Sequence, residues 1–294
     1  MSLRARTFAL TSVVLCAFAT NSLLCRWALA EDRIDPTSFT TVRLLSGAIA
    51  LALLVRLRRV PAKQRRAGRW PAAAALLVYA VAFSLAYVRL GAGLGALLLF
   101  GAVQVSMIGW AVVRGERLSV RQWVGIVFAL GGLSLLTLRG ASVPQPTAAV
   151  LMLTAGAAWG AYTLLGRGTA NPLAATADNF ARAAPAAILA MAIAWWLHAV
   201  HLSPRGVGIA VTSGALASGL AYALWYTALR GLSASQAAVV QLLVPIIAAS
   251  GGVLLLGEHL TLHLALTGTA VLLGVGLALT GREQLAPRPA TTEA

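Results

Sequence analysis

Acidic residues are scarce in this chain: 8 Asp and Glu stand against 23 Lys and Arg in 294 residues. All of them, Glu31, Asp32, Asp35, Glu116, Asp178, Glu258, Glu283 and Glu293, fall in connections, tails or the ends of apolar runs. No carboxylate sits in the middle of a run, so the chain lacks the intramembrane acid with which proton-coupled exporters trade a proton for a cation. Cysteine is rarer still. Cys16 and Cys25 share one apolar run, too far apart to bridge while it stays helical, and both are read as packing residues. There is no H-E-x-x-H, no G-x-S-x-G and no carboxylate pair inside a run, and the H-L-T-L-H at 259 to 263 has no Glu between its histidines. A polytopic membrane enzyme is thereby a distant alternative, and no metal or cofactor is indicated. The Gly-rich segments carry no charged ring or repeated filter, which argues against a channel.

What the chain has in abundance is apolar length. Hydrophobic residues make up 59% and charged residues 11%, with a mean hydropathy of +0.83; a soluble domain could not cover that much apolar surface. Ten runs of about 20 residues, each enough to cross a bilayer as helix, are drawn at 7–28, 37–57, 71–89, 92–113, 120–138, 146–166, 175–197, 206–229, 234–256 and 261–280. The connections hold the expected breakers, among them Asp35-Pro36, Pro144, Asn171-Pro172, Pro204 and Gly257. Ser119 followed by Gln122 predicts a capping box opening the fifth run. Strands of a closed barrel would alternate over about ten residues, which these runs do not. The chain reads as an all-α polytopic membrane protein.

The same unit is written twice. S-L-L-C-R at 22 to 26 returns as T-L-L-G-R at 163 to 167, and G-E-R-L-S at 115 to 119 as G-E-H-L-T at 257 to 261. Arg43 and Arg182 are read as holding matching places in the second run of each half. Two halves of five spans, 1–140 and 141–282, followed by a tail at 283–294, turn the second copy over in the membrane. Inverted repeats of this kind underlie the two-state rocking of secondary transporters.

Lys and Arg crowd one side: Arg4 and Arg6, then seven basic residues from Arg56 to Arg69, then Arg114, Arg117, Arg121, Arg167, Arg230, Arg282 and Arg288. The bias predicts both termini in the cytoplasm. It also accounts for the net charge of +15 through topology and contact with anionic lipid, with no nucleic-acid partner. The first run, with Arg26 at its end and no clear cleavage site, is expected to be retained as a helix.

Polar side chains inside a bilayer are costly and face the bundle interior. Asn21, Gln104 and Gln241 carry amides that need partners, as lining of a cavity or as interhelical ties. Tyr79, Phe83 and Tyr87 share a face of the third run at four-residue spacing, as do Ser218, Tyr222 and Tyr226 in the eighth; Trp159 and Tyr162 occupy the sixth. Tyr79, Trp159, Tyr162 and Tyr222 are read either as substrate contacts or as packing. An aromatic pocket with a few neutral amides suits small amphipathic or zwitterionic solutes. Arg43 and Arg182 are structural, or latch the opposite half as a gate, and Asp178 is placed to pair with Arg182 one turn away.

The doubled five-helix unit, A-A-W-G-A-Y at 157 to 162, A-Y-A-L-W-Y-T-A-L at 221 to 229, V-P-I-I-A at 244 to 248 and the G-E before each final run resemble the EamA branch of the drug/metabolite transporter superfamily. The resemblance covers residues 7 to 281. It implies ten helices around a central cavity, with the fifth and tenth outside it, and export of amino acids or related metabolites across a bacterial inner membrane. A-V-Q at 102 to 104 stands where first halves of that family often carry proline, so the symmetry with Pro245 is imperfect. Neutral or aromatic amino acids are the expected substrates, moved by an uncoupled, alternating-access carrier acting as a monomer. A proton-coupled exporter of drugs or other metabolites is the alternative. Gly91, Gly93, Gly95 and the Pro245 break are candidate hinges.

Overall fold

The computed structural model describes residues 3–90, 92–138, 145–247 and 262–280. Among these the chain is helical, with an isolated bridge between Ile34 and Leu202 and no strand. The helices are α1 (Leu3–Ala30), α2 (Pro36–Leu57), the single turn α3 (Ala62–Arg65), α4 (Trp70–Tyr87), α5 (Ala92–Val113), α6 (Val120–Leu138), α7 (Pro146–Gly166), α8 (Pro172–Trp196), α9 (Pro204–Thr212), α10 (Ala221–Ala228), α11 (Ala234–Val240) and α12 (Leu262–Thr280). Between α9 and α10 the segment Ser213–Leu220 is a π-helix, so that one span runs unbroken from Pro204 to Gly231. This span, with Ala5–Leu29, Pro36–Leu57, Trp70–Tyr87 and Pro146–Gly166, is long and apolar enough to cross a bilayer on its own. The protein is an all-α, multi-pass membrane protein of two repeats.

Local chemistry sets the helix starts. Proline at the first turn supplies a fixed φ and has no N–H to lose, and it opens α2, α4, α7, α8 and α9. Asp35, Asn171 and Ser203 cap α2, α8 and α9 by accepting from the amides of Ser38, Ala174 and Gly206. The Ser119 and Gln122 box closes as expected, Gln122 N donating to Ser119 Oγ and Ser119 N to Gln122 Oε1. A second box, Ser233 with Gln236, opens α11. The ninth span, expected over 234–256, instead breaks after Val240 and resumes over 243–247, and its remainder lies outside the described residues. Pro245 is the cause: it offers no N–H to the Gln241 carbonyl, which accepts from Val244 instead.

Packing repeats across the two halves. α2 lies on α8, α5 on α11 and α6 on α12, while α4 against α7 is answered by α10 against α1. The α6–α12 pair meets backbone to backbone. A methyl added at Gly125 would strike the backbone at Ala278, and one at Gly274 the backbone at Ala129. Gly125-x-x-x-Ala129 and Gly274-x-x-x-Ala278 thus form a reciprocal small-residue seam. Side chains such as Ile49, Leu53, Val127, Phe128, Leu189 and Leu273 point outward on the apolar belt that the lipid covers.

Candidate functional site

Aromatic rings from both repeats converge at the centre. Phe18, Asn21 and Ser22 of α1, Tyr79 of α4, Leu99 and Phe100 of α5, Trp159 of α7 and Tyr222 of α10 line a cavity of about 20 Å³, space for roughly one water molecule. Trp159 is its hub. Its ring centroid lies 5.1 Å from Phe18 in an edge contact, 5.0 Å from Tyr79, 4.7 Å from Tyr222 and 5.7 Å from Tyr162, all within the range of favourable ring pairs. Gln241 holds the indole from the helix break, accepting from Trp159 Nε1 at 2.6 Å while its own amide donates to the Ala237 carbonyl at 2.8 Å.

Beside the cavity lies a buried arginine. Arg43 is 1% exposed. It donates through Nε to Ser218 Oγ at 2.8 Å and through Nη2 to Tyr222 Oη at 2.6 Å, and Nη2 lies 3.5 Å from Tyr79 Oη. Its guanidinium carbon sits 5.3 Å from the Tyr79 ring centroid and 5.6 Å from that of Phe83. Ser218 Oγ donates onward to Asn21 Oδ1 at 3.4 Å, and Ser213 Oγ donates to the same oxygen at 2.6 Å. Ser213 and Ser218 are five residues apart, an interval that one π turn stacks and an α turn does not. The wide turn therefore aims both hydroxyls at Asn21. Gly214 permits the approach, since a methyl there would meet the Arg43 carbonyl and Ser46 Oγ.

The sequence-picked residues divide into three groups. Asn21, Tyr79, Trp159 and Tyr222 line the cavity. Gln104, Tyr162 and Gln241 do not, and in this structure they make the tying and packing contacts that are the other reading of each. Gln104 donates to the Ala238 carbonyl at 2.7 Å and ties α5 to α11; Gln241 orients Trp159; Tyr162 stacks behind Trp159 and accepts at its carbonyl from Tyr226 Oη at 3.0 Å. Arg43 lies beside the cavity, bonded to two of its walls, Tyr79 and Tyr222. Asp178 and Arg182 lie at a seam on the face that bears the N-terminus: Asp178 Oδ2 accepts from Arg182 at 3.0 Å and from Gly68 N at 3.0 Å, and Arg182 covers the Trp70 ring at 4.8 Å. Counted from the caps, Arg43 is eight residues beyond Asp35, and the residue eight beyond Asn171 is Asn179. Asn179, not Arg182, is the register equivalent of Arg43. Cys16, read as a packing residue, is exposed, whereas Cys25 is buried. Phe18 could have been found, one turn before Asn21 on the same helix face. Ser213 could not, because its alignment depends on the π turn.

Cross-repeat bonds close both ends. On the face of the N-terminus, Arg69 N donates to Asn179 Oδ1 at 3.0 Å and Asn171 Nδ2 to Gln64 Oε1 at 3.0 Å, and within the second repeat Arg230 donates to the Thr169 carbonyl at 2.9 Å. Outside these bonds is a hollow of about 500 Å³ lined by Arg69, Arg167 and Asn171. On the other face, Asp35 and His201 exchange two bonds, Asp35 N to the His201 carbonyl at 3.0 Å and His201 N to Asp35 Oδ2 at 2.9 Å. A hollow of about 530 Å³ lies there, lined by Glu31, Arg33, His201 and Arg205.

Comparison with known proteins agrees with this architecture. An uncharacterized protein of Pseudomonas aeruginosa, PA1977, is 55% identical over 94% of this chain and 96% of its own length. The uncharacterized transporter YwfM of Bacillus subtilis is 33% identical over 80% of this chain and 81% of its own. An uncharacterized transporter of Archaeoglobus fulgidus is 24% identical over 96% of this chain and all of its own length, a coverage of 100%. A crystal structure of another protein shares the fold with a TM-score of 0.72 at 17% identity, covering 91% of this chain and 97% of that one. The family model of EamA-like transporters matches twice, over residues 6–138 and 146–280. Matched once in each repeat and along nearly its whole length, the chain belongs to the EamA-like transporter family.

Proposed function

We propose that the protein exports small amphipathic metabolites, neutral and aromatic amino acids foremost, across a bacterial inner membrane by alternating access. The observation that carries this reading is the position of the aromatic cavity. It lies between the two repeats, lined by Phe18 and Tyr79 of one and by Trp159 and Tyr222 of the other, and cross-repeat bonds shut both faces. Rocking one repeat against the other breaks one set of bonds at a time and opens the cavity to one side. A volume of about 20 Å³ is too small for a bound solute, which needs several hundred Å³, and so agrees with a closed state of such a cycle. Basic residues on the face of the N-terminus support placing both termini in the cytoplasm.

Uncoupled transport, not catalysis or proton exchange, is the reading that the polar groups support. Among the described residues no acid lines the cavity, and Asp178 is engaged at the seam by Gly68 and Arg182. Counterflow of labelled neutral and aromatic amino acids into proteoliposomes, with and without an imposed pH gradient, tests it. Saturable exchange indifferent to the gradient is expected. Concentrative exchange only with the gradient would establish the proton-coupled alternative, and chemical change of the solute would mean an enzyme.

A further inference from the structure

The environment of Arg43 leaves a charge unbalanced. The guanidinium reaches Tyr79, the tenth residue of the eighteen in α4, and Ser218, near the middle of the span from Pro204 to Gly231, so it lies at mid-membrane depth. An arginine there is among the costliest groups a bilayer protein can hold, and such residues normally pair with an acid or serve a substrate path. Arg43 has no acid. The ion pairs among the described residues are Arg33 with Glu31 and Arg182 with Asp178, both elsewhere. The Arg43 partners are neutral hydroxyls and aromatic faces, and its Nη1 is buried with no hydrogen-bond partner. Two of those partners, Tyr79 and Tyr222, are walls of the cavity, as is Asn21, which accepts from the same Ser218.

We infer that Arg43 is the carboxylate-binding residue of the central site, and that the substrate class is small aromatic or apolar solutes bearing one carboxylate. This rests on the carrier reading above and narrows it. A carboxylate entering beside Tyr79 and Tyr222 meets a planar donor with Nη1 free and Nη2 shared with two phenols, the fork geometry that carboxylates accept bidentately. Its ring or alkyl part packs on Phe18, Phe100 and Trp159. No acidic side chain among the described residues lines the cavity to receive an ammonium group. The amino group of an amino acid is therefore dispensable, whereas the carboxylate is required. The charge argument also gives the resting state: without substrate, Tyr222 and Ser218 hold the guanidinium across the repeat interface, and a bound carboxylate takes over part of that task.

The test uses three solutes of one shape and different charge, 3-phenylpropanoate, phenylalanine and phenylalaninamide. Each is assayed for binding to the full-length protein in nanodiscs by calorimetry and for counterflow in proteoliposomes, with wild type, Arg43→Gln and Arg43→Lys. The expected result is that both acids bind and exchange while the amide does not. Arg43→Gln should weaken acid binding by about ten- to a hundredfold, the range for losing a charge-assisted pair, and Arg43→Lys should restore part of it. An acid-to-amide preference that survives in Arg43→Gln overturns the inference and leaves the carrier reading standing. Arg43-dependent binding of the acids with no exchange overturns the carrier reading instead. Failure of both acids to bind wild type overturns the inference, and the thermal unfolding profile of each variant separates lost binding from lost fold.

Discussion

Asp35 and Asn171 hold equivalent posts on opposite faces of the molecule. Each caps the second spanning helix of its repeat, accepting from the amide three residues on, and each also bonds a connecting loop of the other repeat: Asp35 the loop at His201, Asn171 the loop at Gln64. One residue thus serves helix start and face closure together. Loss of the cap in Asp35→Ala or Asn171→Ala is expected to cost about 1 kcal/mol. The larger effect should be directional, because only one face loses its tie.

That direction can be read with a thiol. With Cys16 and Cys25 replaced by alanine, a cysteine at Ser22 reports access to the cavity wall. Asp35→Ala should speed its labelling by a membrane-impermeant reagent added on the Asp35 face, and Asn171→Ala its labelling from the other. Equal acceleration from both sides in either variant would show that the caps are structural only.

The hydroxyls around Arg43 should not be equivalent. Tyr222 accepts at 2.6 Å, whereas Tyr79 Oη lies 3.5 Å away, at the limit of a hydrogen bond. Tyr222→Phe is therefore expected to destabilise the protein by about 1.5–3 kcal/mol, the cost of a bond to a charged group. Tyr79→Phe should cost well under half as much, since its ring still faces the guanidinium. Reversible unfolding in mixed micelles measures both, and the reverse order would mean that Tyr79 is the true partner.

Much of the fold is legible in the sequence. Asp35-Pro36 and Asn171-Pro172 mark helix starts through short-range chemistry, and Ser119 with Gln122 forms the box its spacing predicts. Aromatic residues at helical spacing mark the faces that carry Tyr79 and Tyr222, but not which of their neighbours, Phe83, Tyr87 and Tyr226 among them, stay clear of the cavity. What stayed hidden is long-range or depends on irregular backbone. The bonds of Arg43 to Ser218 and Tyr222 span 175 and 179 residues. Gln241 was visible as a costly amide, yet whether it faced solute or Trp159 depended on a helix break placed four residues before Pro245. The π turn that brings Ser213 beside Ser218 has no periodic signature, and the caps Asp35 and Asn171 set Arg43 level with Asn179, whereas the spacing of the two halves along the chain sets it level with Arg182.

Two glycines should respond oppositely to alanine. A methyl at Gly214 meets the Arg43 carbonyl and Ser46 Oγ, whereas at Gly208, one turn and a half earlier in the same span, nothing lies within 4 Å. Gly214→Ala is expected to force α2 and the π segment apart, costing about 1–3 kcal/mol as overpacking does, and to separate Arg43 from Ser218. Gly208→Ala should be neutral or stabilise by up to about 1 kcal/mol through helix propensity. Paired unfolding and counterflow measurements decide it; normal transport in Gly214→Ala would show that the close approach is not needed for function.

The response to pH follows from what surrounds the cavity. Among the described residues no Asp, Glu or His lines it or touches Arg43; its polar lining is Asn21, Ser22, Tyr79, Trp159 and Tyr222. Side chains of these types, and arginine itself, keep one charge state between roughly pH 5.5 and pH 8. Counterflow at equal pH on both sides should then be flat across that range for a solute whose own charge does not change. The one membrane-span acid in the described second repeat, Asp178, is bonded to Gly68 N and Arg182 at the seam and has no path to the cavity through its hydrogen bonds. Asp178→Asn should keep one acceptor oxygen for Gly68, lose the ion pair and leave the pH profile flat, with any loss of rate independent of pH. A bell-shaped or sloping profile in wild type that flattens in Asp178→Asn would instead identify the seam as a proton-linked gate and set aside uncoupled transport.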